Sequence, residues 1–379
     1  MKKKVNKNMR RTIRVKIEHS KILVKTIEIF SQIIKDTQKA AIKSDTRDKT
    51  KIHHLMYNKA RKKYPNMPSA LLQTARDVVC EQLKRNKMKK SEYKFFSSIR
   101  LDKRTFRANL EHCIASISSI KGRQKISFKN NQLLKRYSGW SVKAATLSYR
   151  KNNLWLNIVV EKEKPIMVVD DKIIGLDRGI RQIAVGSNNQ FFTSKHLRNI
   201  KGKYQFLKSA LQSKGTRSAK RMLNKLSGRE RRFVTDVNHC LSKKLVNSNF
   251  NIFSIEDLKI KRSKKQGKKF NKKLNGWSWK QFETYLIYKA EALGKQVLKV
   301  DPRYTSQKCS KCGNIHKQNR NKNNFKCCSC GFELHADLNA ARNIAQIGIS
   351  CLSRLVVNQP IVAIEQSISY KPTNSLVGN

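Results

Sequence analysis

Residues 309–344 read CSKCGNIHKQNRNKNNFKCCSCGFELHADLNAARNI and predict a metal-binding module followed directly by a helix. Two cysteine pairs, Cys309 with Cys312 and Cys327 with Cys330, are separated by fourteen residues. The two-residue gap within each pair lets backbone amides point at the sulfurs, so both pairs can fold around one ion. This spacing is typical of a zinc ribbon with four thiolate ligands. Because a closed four-thiolate site leaves no open coordination position, the predicted Zn2+ is structural rather than catalytic.

Two alternatives to this zinc site stay open. The pairs could be redox-active or form disulfides, but the chain begins MKKKVNK without the apolar stretch of a signal peptide, and paired cysteines in a reducing cytosol usually bind metal. Cys328 could replace its neighbour Cys327, which is preferred because it leaves the two-residue gap before Cys330. The remaining cysteines are expected to be free and partly buried: Cys80, Cys113, Cys240 and Cys351.

The composition indicates a polyanionic partner. The 379 residues include 83 Lys and Arg against 25 Asp and Glu, a formal net charge of +58. Charge of one sign destabilises the compact state by self-repulsion, which a bound phosphate backbone relieves while counterions are released. Nucleic acid is therefore the expected partner. An anionic membrane is the alternative, but the chain has no apolar run of ~18 residues, so we expect a soluble, cytoplasmic protein.

The first part of the chain mixes strand and helix patterns. Alternating apolar residues predict strands at residues 13–17, 126–128, 141–149 and 154–161. Between the first two strands, helical periodicity from Leu23 to Ile34 and again from Pro68 to Leu83 predicts a helical insert. A small β-barrel interrupted by helices fits this order. Asp170 and Asp171 are expected to link it to the next domain.

From residue 172 the predicted elements are three strands, a long basic helical stretch, a strand, a helix, a strand and a final helix. This is the element order of an RNase H-like fold. Asp177 ends the first of these strands, Glu256 ends the fourth and Asp337 opens the last helix. The helix before the last strand is expected to begin at a capping box of Ser278 and Gln281. Its predicted apolar face comprises Trp279, Phe282, Leu286 and Leu293.

Three converging carboxylates suit the hydrolysis of a phosphodiester bond, for which two divalent ions about 4 Å apart activate water and stabilise the leaving oxygen. Mg2+ prefers such oxygen ligands. In this interpretation Asp177 bridges both ions, and Glu256 and Asp337 each hold one. Taken singly, Asp177 could be a turn residue, Asp337 a helix cap and Glu256 the end of a strand. Their combination is harder to explain locally in a chain with so few acids.

Five motifs together resemble the TnpB family of transposon-encoded proteins. They are Gly175-Leu-Asp177-Arg-Gly179-Ile, Ile255-Glu256-Asp257-Leu258, Trp279-x-x-Phe282 with Tyr288-Lys-Ala290, Asp301-Pro-Arg-Tyr-Thr-Ser306, and His335-Ala-Asp337-Leu-Asn339-Ala-Ala341. The match spans about residues 170–345. The strands and helices before it resemble the family's wedge and recognition regions only loosely. The Cys327–Cys328 doublet and the tail after Cys351 depart from the family pattern.

The resemblance implies an RNA-guided DNA endonuclease related to type V CRISPR effectors, with a RuvC-like nuclease domain interrupted by the zinc ribbon. Asp177, Glu256 and Asp337 would be its catalytic, Mg2+-binding acids, and the four paired cysteines its zinc ligands. Guide RNA and target DNA would be its partners, and the protein is expected to act as a monomer with RNA. The chain would be an α/β and α+β multidomain protein. Its predicted parts are a wedge-like β-barrel (1–20 and 100–169), a helical recognition region (21–99), the RNase H-like nuclease domain (170–300 and 332–350), the zinc ribbon (301–331) and a tail (351–379).

Several basic segments fit nucleic-acid binding as well as plain solvation. They are Lys261–Lys273, Lys201–Arg232, and Lys103, Arg104 and Arg107 near Phe106. His239 is interpreted as a core histidine rather than a ligand. Two other functions stay open: a protein that binds RNA or DNA without cleaving it, which leaves the three acids unexplained, and a transposase that joins strands itself, since RNase H-like triads also serve transposition.

Overall fold

The computed structural model describes residues 7–86, 96–129, 132–167, 172–258 and 276–357, together with residues 267, 271 and 274. The chain divides into two compact units, Met1–Lys164 and Pro165–Asn379. The predicted link at Asp170 and Asp171 lies outside the described residues. No helix in the described ranges is long and apolar enough to span a membrane.

The first unit begins with a strand followed by three helices. β1 (Asn8–Ile17) buries the alternating apolar residues from which it was predicted. The helices are α1 (Lys21–Lys43), α2 (Lys49–Lys63) and α3 (Ser69–Arg85). The sequence predicted α1 and α3 from their apolar stripes. It missed α2 because only Ile52 and Ala60 of that helix are buried, which is too few to create a periodic pattern.

The other described elements of the first unit are antiparallel strands and one short helix. They are β2 (Ile99–Leu101), β3 (Phe106–Asn109), β4 (Ile114–Ser119), β5 (Gly122–Ser127), the short α4 (Gln132–Lys135), β6 (Ser141–Arg150) and β7 (Asn153–Glu163). One sheet has the order β1-β7-β6-β2 and the other β3-β4-β5. A single bridge joins Ile17 to Phe128. The closed β-barrel that the sequence suggested stays a prediction.

The second unit is built on a mixed five-stranded sheet. Its elements are β8 (Ile173–Asp177), β9 (Gln182–Gly186), β10 (Phe191–Thr193), α5 (Lys195–Lys214), α6 (Arg217–Leu226), α7 (Arg229–Val246), β11 (Ile252–Glu256), α8 (Trp279–Ala292) and β12 (Gln296–Val300). The strand order is β10-β9-β8-β11-β12. β8, β9 and β10 are antiparallel, whereas β11 lies parallel to both β8 and β12. As expected for a central strand covered on both faces, every residue of β11 is buried.

The start of α8 differs from the prediction. Ser278 precedes the helix, but its side chain caps no backbone amide. Instead the Asn238 amide on α7 donates to Ser278 Oγ at 2.9 Å and to Gln281 Oε1 at 2.8 Å. The two residues of the predicted capping box therefore fasten α8 to α7. Phe282 is buried as predicted, whereas Leu293 is 49% exposed because it follows the end of the helix.

The cysteine-rich segment forms a small sheet that continues directly into the last helix. β13 (Arg320–Asn321), β14 (Asn324–Lys326) and β15 (Glu333–His335) pair in that order. α9 (Ala336–Val357) follows β15 without a loop. The position of this sheet therefore determines where α9 begins.

Candidate active site and metal centre

The three predicted acids lie at the ends of elements that meet in the second unit. Asp177 is the last residue of β8 and Glu256 the last residue of β11. These strands are parallel neighbours with Leu176 opposite Ile255, so both acids lie at the same edge of the sheet. Asp337 lies in the first turn of α9.

Close packing of α9 on the sheet fixes the position of the third acid. A Cβ at Gly175 of β8 would overlap the backbone of Ala341 and Ala345, so only glycine allows this approach. Ser254 of β11 donates a 2.9 Å hydrogen bond to the carbonyl oxygen of Ile344. The helix is thus held by the same two strands that carry the first two acids.

The acids affect one another's ionisation. Burial, and then the charges of Glu256 and Asp337, raise the pKa of Asp177 to about 8 against the opposing charge of Arg320. Burial also raises the pKa of Glu256, opposed by the 2.6 Å hydrogen bond that its carboxylate accepts from Thr305. Arg320 of β13 donates to Asp337 Oδ1 at 2.8 Å. The charges of Glu256 and Asp337 therefore both act on Asp177.

This set of acids fits a hard divalent cation by its chemistry. Carboxylate oxygens are the ligands that Mg2+ prefers, and a cation between them would remove the repulsion that raises the pKa of Asp177. The carboxylates are less tightly grouped than the cysteines. Among the described residues, only the four cysteines form a compact group of three or more metal-ligating side chains.

Arg178 connects the two strand ends to α8. Its guanidinium donates to the backbone carbonyl of Glu256 and to Glu283 Oε2 at 3.1 Å. The side chains of Arg178 and Glu283 are 1% and 2% exposed. In the sequence Arg178 appeared only as part of the motif that begins at Gly175. Its buried partner Glu283 is 105 residues further along the chain, and no local sequence pattern indicates that the two residues pair.

We expect Glu283→Gln to lower the free energy of unfolding at pH 7 by roughly 3–5 kcal/mol, because a buried arginine loses its charged partner. Although burial by itself raises the pKa of Glu283, hydrogen bonds from Lys280, Lys299 and Arg178 lower it to about 2. The carboxylate therefore stabilises the fold fully above its unfolded pKa of 4.5. This contribution is lost as the pH falls towards 2, so the free energies of unfolding of the wild type and the variant should become equal there.

Urea unfolding between pH 7 and pH 3 measures this difference. Glu81→Gln is the matched control, because the Glu81–Arg100 ion pair is 2.8 Å long but about half exposed on both sides, so it should contribute only ~0–1 kcal/mol. The stabilising role of the buried Arg178–Glu283 pair would be contradicted if both variants lost the same free energy of unfolding. It would also be contradicted if the loss in Glu283→Gln did not change with pH.

The four paired cysteines form a cluster that could hold a metal ion. Their Sγ atoms all lie within 4.8 Å of one another. Cys309 and Cys330 are 3.8 Å apart, and Cys312 and Cys327 are 3.6 Å apart. A tetrahedral Zn2+ with Zn–S bonds of ~2.3 Å requires sulfurs about 3.8 Å apart, so the geometry fits. The Cys330 amide donates a hydrogen bond to Cys327 Sγ at 3.5 Å, which favours the thiolate that zinc needs.

Cys328, the alternative ligand, lies outside this group. Its side chain is exposed, and its Sγ is 3.8 Å from Asn314 Oδ1. Its amide donates to the buried Asn319, which turns this residue away from the other sulfurs. The geometry therefore favours Cys327 as the ligand.

Two buried asparagines attach the cysteine module to α9. Asn339 accepts a hydrogen bond from the Ser310 amide at 2.9 Å and donates to the Lys308 carbonyl at 2.8 Å. Asn343 donates to the carbonyls of Thr305 and Lys308. The Asp337-Leu-Asn339-Ala-Ala-Arg-Asn343 motif therefore joins the third acid to the side chains that hold the module.

The other predicted residues have different environments. His239 stacks on Tyr285 with ring centroids 3.9 Å apart and lies 3.3 Å from the Tyr288 hydroxyl, so its neighbours are aromatic rather than metal ligands. Residues 201–232 are largely helical, as predicted, and α5 has no buried side chain. Most of Lys261–Lys273 lies outside the described residues. The expectation that all four unpaired cysteines are partly buried is wrong for Cys240, which is exposed on α7.

Two family models match the chain. The model described as "Probable transposase" matches residues 157–267, and the "Cas12f1-like, TNB domain" model matches residues 279–344. The first match includes β8 and β11 with their acids. The second includes the cysteine module and the start of α9. Together they cover nearly the same part of the chain as the motifs described above.

The chain is 30% identical over 306 residues to the CRISPR-associated endodeoxyribonuclease Cas12f1 of Sulfoacidibacillus thermotolerans, which covers 74% of this chain and 70% of that protein. It is 33% identical over 130 residues to the TnpB-like protein MJ0751 of Methanocaldococcus jannaschii, covering 33% of this chain and 46% of that protein. The fold resembles a Cas12f1 chain solved in a complex with sgRNA and target DNA, with a TM-score of 0.60, 17% identity, and coverage of 85% and 80%. The resemblance that the motifs predicted is thereby confirmed, and the chain belongs to the TnpB and Cas12f1 family.

Proposed function

We propose that this protein is an RNA-guided DNA endonuclease and that Asp177, Glu256 and Asp337 are its catalytic acids. The observation that carries the proposal is that Asp177 and Glu256 end neighbouring parallel strands and that burial, with the charges of Glu256 and Asp337, raises the pKa of Asp177 to about 8. A solvated surface acid has no such shift, and strongly perturbed acids of this kind are typical of functional sites.

The arrangement of the second unit supports an RNase H-like, RuvC-type nuclease domain. Three antiparallel strands are extended by two parallel ones, and a helix carrying the last acid crosses the central pair. In this proposal the cysteine module is a zinc ribbon inserted between β12 and α9. Cys309, Cys312, Cys327 and Cys330 hold one structural Zn2+.

Two bound Mg2+ ions would supply activation of water and stabilisation of the leaving oxygen. The protein's own residues orient the site. Thr305 fixes the Glu256 carboxylate through a 2.6 Å hydrogen bond, and Arg320 holds Asp337 at 2.8 Å. Asp177, on which the charges of the other two acids act, would help to hold the ions. Arg178 keeps the ends of β8 and β11 together from the buried side.

The proposed partners are a guide RNA and a target DNA. The formal net charge of +58 favours a polyanionic partner, and the structural relative was solved with both kinds of nucleic acid. Because the relative from Sulfoacidibacillus thermotolerans is named an endodeoxyribonuclease, DNA is the proposed substrate of cleavage.

The decisive test is to purify the full chain, sequence any RNA that accompanies it, and incubate the complex with matching DNA with and without Mg2+. We expect cleavage that requires the RNA, the matching sequence and the metal ion. Cleavage without RNA would refute RNA guidance. Binding without cleavage in Mg2+ would favour a non-cleaving binding protein, and joined rather than free DNA ends would favour a transposase.

A further inference from the structure

A groove in the first unit has a lining that the proposed cleavage does not use. It lies between β3 and the turn that precedes β6 and has a volume of about 720 Å³. This is within the range of roughly 300–1,000 Å³ for ligand pockets. Its lining includes the aromatic rings of Tyr137 and Trp140 and the cations Lys103, Arg107 and Lys143.

The two rings are held in place before any ligand arrives. Tyr137 and Trp140 are half-buried and pack on the core of the first unit. Their centroids are 5.2 Å apart and their planes are nearly perpendicular, at 84°. The Trp140 amide donates to the Tyr137 carbonyl across a turn in which Gly139 has a φ of +75°. A ligand that contacts these rings therefore meets a preformed surface.

The cations near the rings are available for a phosphate. Lys103 and Arg107 are exposed, and neither forms an ion pair with any residue in the described ranges. Lys143 lies 3.6 Å from Glu161, so its charge is partly compensated. The lining includes one carboxylate, Glu111, which accepts a 3.2 Å hydrogen bond from Ser138. The groove keeps a net positive charge.

This arrangement corrects the basic surface predicted around Phe106. Phe106 is 3% exposed, so it belongs to the core. Arg104 is bound to Asp102 at 2.7 Å and to Gln73 at 2.8 Å, so its guanidinium is already occupied. Only Lys103 and Arg107 of that cluster face the groove. The aromatic rings come from a turn about thirty residues further along the chain, which no local pattern could connect to them.

We propose that this groove binds an unpaired nucleotide of a nucleic-acid strand, with its base against Tyr137 and Trp140 and its phosphates at Lys103 and Arg107. Every base has an aromatic face, so stacking on such rings tolerates any sequence, and Lys and Arg bind the backbone. Bases inside a duplex are already stacked and cannot offer that face. The inference rests on the proposed function only in taking nucleic acid as the partner.

Photocrosslinking of the full chain tests this site without requiring cleavage. Single-stranded RNA containing one 4-thiouridine and single-stranded DNA containing one 4-thiothymidine are the two probes, used without divalent metal on protein stripped of RNA at high salt. We expect crosslinks in the peptide that contains Tyr137 and Trp140, and none when the labelled strand is fully paired. If only one of the two probes crosslinks, that probe identifies RNA or DNA as the natural source of the nucleotide.

Trp140→Ala should lower the yield of the groove crosslink about five- to one-hundred-fold, because losing one base-stacking contact weakens binding by about that factor. Phe206→Ala is the matched control, because Phe206 is 73% exposed on the basic helix α5 and should leave the groove crosslink unchanged. If Trp140→Ala melts early, Lys103→Glu combined with Arg107→Glu removes the phosphate contacts from exposed positions. Unchanged crosslinking in these variants, equal crosslinking to duplex, or no crosslink in this peptide overturns the proposal. None of these outcomes depends on nuclease activity.

Discussion

Asp177→Asn is expected to lower the rate of RNA-guided DNA cleavage by about a thousandfold or more while the protein remains folded. In the proposal Asp177 would help to hold the Mg2+ ions. Bound metal ions stabilise such transition states by several kcal/mol, and each ~1.4 kcal/mol changes the rate tenfold. Asparagine keeps the size of the side chain but removes its charge. Initial rates of cleavage of matching DNA in Mg2+ measure the effect.

The same variant should not be destabilised, and this separates loss of chemistry from loss of fold. Burial and the neighbouring acids raise the pKa of Asp177 to about 8 from its ordinary value of 3.8. A group with a raised pKa stabilises the folded state below its unfolded pKa, and that contribution is lost as the pH rises through about 8. Asparagine has no such dependence. Without added divalent metal, Asp177→Asn should therefore melt at a higher temperature than the wild type at pH 8 and at a similar temperature near pH 4.

Asp257→Asn is the control for this experiment. Asp257 directly follows Glu256, but its side chain is 44% exposed and lies 3.7 Å from Lys299. Its replacement should change the cleavage rate by only a few fold. A normal cleavage rate in Asp177→Asn, or an equal loss in both variants, would remove Asp177 from the proposed catalytic set.

Cys312→Ser should lower cleavage about a hundredfold even though all three acids are retained. The sulfur of Cys312 lies 3.6 Å from that of Cys327, and structural zinc contributes on the order of 10 kcal/mol to the folding of small modules. Without the metal, the module that carries Arg320 and attaches to Asn339 should lose its order. A displacement of catalytic groups by about 1 Å can cost a hundredfold in rate.

Zinc content, amide hydrogen exchange across residues 309–343 and cleavage rate should all be measured on this variant. Cys328→Ser is the matched control, since Cys328 is exposed and outside the sulfur cluster, and it should retain both zinc and activity. Normal cleavage by zinc-free Cys312→Ser would mean that the module does not position Asp337. Loss of zinc in Cys328→Ser, but not in Cys327→Ser, would make Cys328 the ligand.

The positions of the acids and cysteines could be predicted because each is marked by a local pattern. Asp177 and Glu256 end short apolar runs that form β8 and β11, and the cysteine spacing determines which sulfurs can meet. Apolar alternation and periodicity arise from burial on one face or both, so they reveal strands and most helices. The exposed helix α2 lacks that signal and was missed.

The polar partners could not be predicted, because they join segments that are distant in sequence. Arg178 meets Glu283 across 105 residues, and Thr305 meets Glu256 across 49. The predicted capping box shows the same limitation, since Ser278 and Gln281 have the right spacing but bind Asn238 instead. Local spacing shows which hydrogen bonds a helix end could form. The tertiary structure decides which of them are made.

The close approach of α9 to Gly175 also has a consequence for the timing of synthesis. Asp337 is added to the chain 160 residues after Asp177, which at about 5–20 residues per second is roughly 10–30 s later. A chain still on the ribosome can pair β8 with β11 but lacks the third carboxylate. The proposed nuclease should therefore become active only after the ribbon has folded and the last helix has left the ribosome. Unfinished chains would then be unable to cleave nearby nucleic acid.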